Sequence, residues 1–308
     1  MKKLQNMLLY FFILFGSLIF LPTFIVLLGD QYNKNILFDI SNTSNSDDVI
    51  NFELSYNNFI QDQIIGLLAR EVNYTESMEY LKLNAIIFRT YLLKTQSGQG
   101  ILAKLFPLSI DEMKKKFGDN YEQAYSVYLE AINATEDLVI LYNDELIEPV
   151  YHTESSGKTR NGLDVYGIQI DYLKAVDSPF DTSITELKYT DEQIITKLRN
   201  NFPNIIINNQ YLSDQIQIIE VDNSGYIKSI QFGSSILDES SFLQTFGLTS
   251  SNVDIIFQGN NILFRQHGIG SGVGLSQNSA KEYSNIGHTY DVILKYYYYN
   301  TEIKKIAK

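Results

Sequence analysis

The chain has 308 residues, enough for one large domain or two modest ones with real cores. An apolar fraction of 44% with 13% aromatics fits a packed protein, and the absence of cysteine excludes disulfides, thiolate zinc sites and a cysteine nucleophile. A formal net charge of −12 argues against nucleic-acid binding, which needs a basic surface; it suits a neutral or weakly charged polymer as partner, or plain solubility.

Lys2 and Lys3 precede an apolar run, Met7 to Leu28, interrupted only by Gly16, Ser17, Pro22 and Thr23. About 20 residues at about 1.5 Å each cross a hydrocarbon core of about 30 Å. The flanking lysines predict a cytoplasmic N-terminus and an extracytoplasmic remainder, a single-pass cell-membrane arrangement. A cleaved signal peptide is the competing reading, although no small-x-small site stands before Asp30. Residues 1–29 are therefore expected as tip and transmembrane anchor. Residues 30–55, which include the Asn/Ser/Asp-rich run Ser41 to Asp48, are expected as a flexible stalk, and 56–308 as the folded domain.

Within that domain the apolar stripe Phe59, Ile60, Ile64, Leu67 and Leu68 predicts a helix that stops near Glu71. After a polar break, a longer amphipathic helix is expected from Ser77, as N-cap, to Lys94. Residues 98–120 read as a connector with a short helix, followed by a helix from Tyr121 to Asn133. Leu138 to Tyr142 and Leu146 to Tyr151 flank Asn143-Asp144 and predict a hairpin. Further strands are expected at Ile205 to Ile207, Gln215 to Val221 and Tyr226 to Phe232, then a helix at Asp238 to Phe246. A glycine-rich loop, Gly268 to Gly274, leads to a short helix from Gln277 and a last one at Tyr290 to Tyr297. Helices and antiparallel strands in blocks indicate an α+β fold.

Three segments carry chemistry. Glu71 sits at a helix break, where a carboxylate projects into a groove or is an ordinary helix-end glutamate. Arg89 lies seven residues after Lys82, on a similar helical face; the two read as a solvated cationic stripe, or as an ion pair with Glu79 or Asp62. Tyr151 to Thr159, with His152, Ser155 and Ser156, is a polar run after a strand, a binding loop or a plain surface loop. Gly268 to Gly274 fails as a dinucleotide fingerprint because no strand with a following acidic residue frames it. Ser276 and Gln277, at the next helix start, donate to a ligand's hydroxyl or acetamido groups, or Ser276 is a simple N-cap. Three isolated histidines make no metal site, and no cofactor is expected.

Taken in order, these segments resemble the sporulation protein D (SpoIID) family. Glu71-Val72-Asn73, then Glu79 to Ala85 and Arg89-Thr90-Tyr91, match its first motif. Tyr151 to Thr159 and Tyr172 to Asp181 match its second, and Gly270 to Gln277 with Tyr290 to Tyr298 its third. The chain departs from the pattern at Asn73, Asn84, Ser156 and Ser271. The zinc of some relatives uses cysteines, which this chain lacks, so no metal is expected. The resemblance implies a SpoIID-like mixed domain behind the single N-terminal helix. It also implies a lytic transglycosylase that cuts the MurNAc-GlcNAc bonds of peptide-denuded peptidoglycan during sporulation engulfment. Glu71, kept protonated by partial burial, would be the catalytic acid, with Arg89, His152, Ser155, Ser156, Ser276 and Gln277 on the sugars. Peptidoglycan strands, a stem-peptide amidase (SpoIIP) and a membrane protein (SpoIIM) are the implied partners. A non-catalytic peptidoglycan-binding or amidase-enhancing module is the alternative.

Overall fold

A computed structural model describes residues 46–98, 100 and 104–306. The chain divides into two units, Met1–Gln61 and Asp62–Lys308. The described part of the first is the opening stretch of helix α1 (Ser46–Glu71). The expected anchor at Met7 to Leu28 and the stalk as far as residue 45 lie outside the described residues, whereas residues 46–55, expected as stalk, are helical. Among the described residues no helix is long and apolar enough to cross a membrane.

The second unit has two lobes. The first is built round α2 (Met78–Gln96), whose N-cap Ser77 accepts from Tyr80 N. Leu81, Leu83, Ala85, Ile86, Ile87 and Phe88 are all buried, so this helix is covered on nearly every side. It packs against α4 (Tyr121–Ala134), β1 (Leu138–Tyr142) and α9 (Tyr290–Tyr297). The short α3 (Ile110–Phe117) starts from a Ser109–Glu112 capping box. Strand β1 lies between β2 (Glu145–Leu146) and the C-terminal β11 (Glu302–Lys305), all antiparallel. The predicted hairpin therefore forms, but its second strand is two residues long. Tyr151 and His152 form a separate strand, β3, which pairs in parallel with β10 (Leu275–Ser276). Parallel pairing of residues so distant in sequence leaves no local signature.

Between β3 and β10 the chain makes α5 (Gly162–Tyr166) and then a second lobe. That lobe contains β4 (Ile184–Thr190), α6 (Asp191–Asn201), β5 (Ile216–Val221), β6 (Ile227–Phe232), β7 (Ser235–Asp238), α7 (Glu239–Phe246), β8 (Val253–Gln258) and β9 (Asn261–His267). Two antiparallel sheets, β4-β9-β8 and β5-β6-β7, share a core of Ile194, Leu198, Ile230, Phe232, Phe246 and Phe264 with neighbouring residues. The rings of Phe246 and Phe264 meet edge-on, 5.0 Å apart. Ile205 to Ile207, expected as a strand, is irregular; Ile205 and Ile207 are buried in this core, so the apolar run reports burial rather than pairing. The chain closes through α8 (Gln277–Asn285), α9 and β11. The α+β expectation agrees with the observed mixture of helices and mainly antiparallel sheets.

Candidate functional site

Helix α1 stops at Glu71, and its last turn is held from two directions. Lys116 Nζ donates to Ala69 O at 2.6 Å and Arg70 O at 3.3 Å, supplying the cation that a helix C-terminus favours. The Tyr128 hydroxyl donates to Val72 O at 2.6 Å. The backbone on both sides of Glu71 is thus fixed while its side chain is exposed. Among the described residues no hydrogen bond or ion pair engages the Glu71 carboxylate. The expected partial burial is absent: the helix end lies at the surface, and among the described residues the Glu71 side chain is exposed. Its charge still reaches two phenols. Burial first, then the negative charges of Glu76 and Glu71, pushes the Tyr80 hydroxyl well above the ordinary tyrosine range. Burial first, then Glu71, does the same to Tyr151. Both remain neutral hydrogen-bond donors.

Helix α8 meets the start of α2 beside this point. The Tyr80 hydroxyl donates to Gln277 Oε1 at 2.5 Å, and Gln277 Nε2 donates to Asn84 Oδ1 at 2.9 Å. Asn84 Nδ2 in turn donates to Tyr80 O at 2.9 Å. Further along α8, Lys281 pairs with Glu76 at 2.8 Å and the hydroxyls of Ser284 and Ser77 lie 2.7 Å apart. Gln277 uses one amide hydrogen and one carbonyl lone pair in these contacts and keeps one of each for a ligand. The structure thus links Tyr80, Asn84 and Gln277 by hydrogen bonds, with Glu71 near enough for its charge to act on the hydroxyls of Tyr80 and Tyr151.

The second and third motifs lace together behind that group. Glu154 and Ile269 exchange backbone hydrogen bonds at 3.0 and 2.7 Å, Leu275 N donates to Val150 O, and Asn278 N donates to Thr153 O. Close approach requires glycine here: a Cβ on Gly268 would lie 2.5 Å from Ser155 O, and one on Gly274 would overlap Val150 O. Asp181, 5% exposed, gathers the hydroxyls. Its Oδ2 accepts from Ser155 N and Oγ at 2.8 and 2.6 Å, and its Oδ1 from Ser276 Oγ and Ser279 Oγ at 2.8 and 2.7 Å. Ser155 and Ser276 are fully buried and committed to this carboxylate, so the structure assigns them to holding the loops rather than to touching a sugar. Ser156, partly accessible, accepts from Asn252 Nδ2 at 3.0 Å through its hydroxyl. Arg160, fully buried, binds Asp222 and Glu239 and lies 4.5 Å over the Tyr226 ring, joining the loop to the second lobe.

Two other expected sugar contacts are buried elsewhere. His152 Nδ1 donates to Val273 O at 3.0 Å; a carbonyl only accepts, so that nitrogen carries the proton. Its Nε2 is buried without a partner among the described residues. Burial, opposed by the Val273 carbonyl and Asp181, lowers its pKa to about 4, leaving a neutral ring inside the structure. Arg89 is 6% exposed and donates to Thr135 O, Leu138 O and Ile132 O at 2.7, 3.1 and 3.3 Å. It caps the C-terminus of α4 and joins it to the start of β1, with its buried guanidinium spent on those three carbonyls. Burial lowers its pKa to about 10 against the pull of Asp137 and Glu136. Among the described residues no group of three His, Asp or Glu is arranged to hold a metal ion.

Sequence reasoning missed Tyr80 and the organising role of Asp181. Asn84, Tyr151 and Asp181 stood in the quoted motifs, and this was the available signal.

Residues 55–142 match the family model SpoIID, described as Stage II sporulation protein. The chain is 26% identical to the Stage II sporulation protein D of Bacillus subtilis (strain 168) over 259 residues, covering 80% of this chain and 74% of the relative. It is 24% identical to the protein of the same name from Bacillus amyloliquefaciens over 267 residues, again 80% and 74%. An uncharacterised protein of Brachyspira hyodysenteriae (strain ATCC 49526 / WA1) is 26% identical over 253 residues, 79% of this chain and 66% of that one.

Proposed function

We propose, from the match of residues 55–142 to the SpoIID family model, that the chain is a membrane-anchored, extracytoplasmic lytic transglycosylase acting on peptide-free peptidoglycan strands in sporulation, with Glu71 as its acid and base. The observation that supports this reading is a carboxyl group on a fixed backbone, without hydrogen-bond or ion-pair partners among the described residues, whose charge acts on two neutral phenols, one of them bonded to the Gln277 amide. One carboxyl suffices when the sugar's own C6 hydroxyl replaces water. The acid gives its proton to the leaving glycosidic oxygen; as carboxylate it takes the C6 proton while a 1,6-anhydro ring closes. The protein leaves Glu71 uncovered, so the glycan strand itself must exclude water from it. Covering a carboxyl disfavours its charged form and suits it to protonate the leaving group. Gln277, with one donor and one acceptor free, orients hydroxyl or acetamido groups. Peptidoglycan strands are the substrate, and an amidase and a polytopic membrane protein of the SpoIIP and SpoIIM kinds are proposed partners.

The test is the full chain incubated with denuded glycan strands and the products read by mass spectrometry. Anhydro-ended fragments are expected from the wild type and are abolished in Glu71→Gln; undiminished cleavage by that variant refutes the mechanism. The exposure of Glu71 favours a second reading, a non-catalytic peptidoglycan-binding or amidase-enhancing module. It predicts strand binding without anhydro products.

A further inference from the structure

One buried carboxylate has no task in that reaction. Asp181 lies in the loop before the second lobe, 5% exposed, and accepts four short hydrogen bonds from both flanking motifs. Asn278 Nδ2 approaches its Oδ1 at 3.5 Å and donates to Phe180 O at 2.8 Å. Ser276 and Ser279, two of its donors, form the first turn of α8: Ser276 is the N-cap, and its Oγ accepts from Ser279 N at 3.2 Å. A negative charge beneath a helix N-terminus is favoured by the helix dipole. Gln277 lies within that turn, and its amide is the one that meets Tyr80 and Asn84. Ser155, the remaining donor, fixes the opposite loop to the same carboxylate.

We propose that Asp181 is the positioning residue of the site: it sets the first turn of α8, and through it the Gln277 amide, relative to Glu71 without touching the sugar. This rests on the glycan-cleaving reading above. The two carboxyl oxygens of Asp181 together accept from every one of these donors. An amide in its place turns an N–H₂ toward hydroxyls or toward Ser155 N, and the turn shifts to relieve the mismatch. A shift of about 1 Å in a positioning group costs up to about a hundredfold in rate.

The experiment is a double-mutant cycle in the full chain on denuded glycan strands, with thermal melting followed in parallel. Asp181→Asn is expected to lower the rate of anhydro-product formation about tenfold to a hundredfold. In the double variant with Gln277→Ala the rate falls no further than in the slower single variant, since the one residue acts through the other. Losses that multiply in the double variant reveal a merely structural knot and overturn the proposal, as does a wild-type rate in Asp181→Asn. Should Asp181→Asn not fold, Ser279→Ala, which removes one hydroxyl from Oδ1, carries the same cycle with the same two outcomes. Failure of the underlying reading is distinct: there the wild type makes no anhydro product, or Glu71→Gln still does, and the role of Asp181 falls with it.

Discussion

Replacing Arg89 with methionine separates a cap from a catalytic contact. The guanidinium makes two bonds to carbonyls at the end of α4, at 2.7 and 3.3 Å, and one to Leu138 O at the start of β1, at 3.1 Å. Charge-assisted bonds contribute about 1.5–3 kcal/mol each. Against this stands the cost of burying the charge. A pKa held down to about 10 corresponds to roughly 3 kcal/mol at about 1.4 kcal/mol per unit. Methionine keeps most of the volume and regains that cost, yet removes the charged donor from all three carbonyls; Thr135 O keeps Leu138 N and Ile132 O keeps Thr135 N. The net loss is therefore about 1.5–6 kcal/mol, and at about 2–4 °C per kcal/mol the melting midpoint falls by about 3–24 °C. Differential scanning calorimetry of the full chain measures it, alongside glycan cleavage at a temperature where both proteins are folded. Cleavage within about twofold of wild type is expected, because the side chain does not reach the site. An unshifted midpoint with collapsed activity would refute the capping account and return Arg89 to the sugar.

His152 links stability to acidity. Its folded pKa is depressed from 6.5 to about 4, so the unfolded chain takes up the proton first. The stability it confers is present above about pH 6.5 and is lost progressively as pH falls toward 4, by up to roughly 3 kcal/mol. Melting wild type and His152→Gln between pH 7.5 and 4.5 tests this, since other carboxyls cancel in the difference; parallel curves would contradict it. Gly274→Ala is expected to cost about 3 kcal/mol or more. Its φ of +76° is strained for alanine, and the new Cβ meets the Val150 carbonyl that accepts from Leu275 N and the Tyr298 hydroxyl. Urea unfolding at wild-type midpoint would show that the loop yields instead.

What the chain order alone determined is its local, periodic structure. The helix through Leu67 and Leu68, its stop at Glu71, the helix from Ser77 and the turn at Asn143-Asp144 all follow from spacing and capping within a dozen residues. The hairpin of β8 and β9 was not among the expected strands, although Val253 to Phe257 and Ile262 to Phe264 flank the turn pair Gly259-Asn260. Strand β4 was not legible either, because its partner β9 lies roughly 70–80 positions on and five of its seven residues are exposed, so no apolar alternation marks it. Tertiary structure decided which polar residues work. Arg89 and Glu71 both looked like surface charges on helices; packing buried the first under a helix end and left the second open. Asp181 draws donors from Ser155, Ser276 and Ser279, which no window of sequence contains together. Periodicity reports which face of an element is apolar. Only the packing of elements distant in sequence settles whether a polar side chain spends its hydrogen bonds on the protein or keeps them for a ligand.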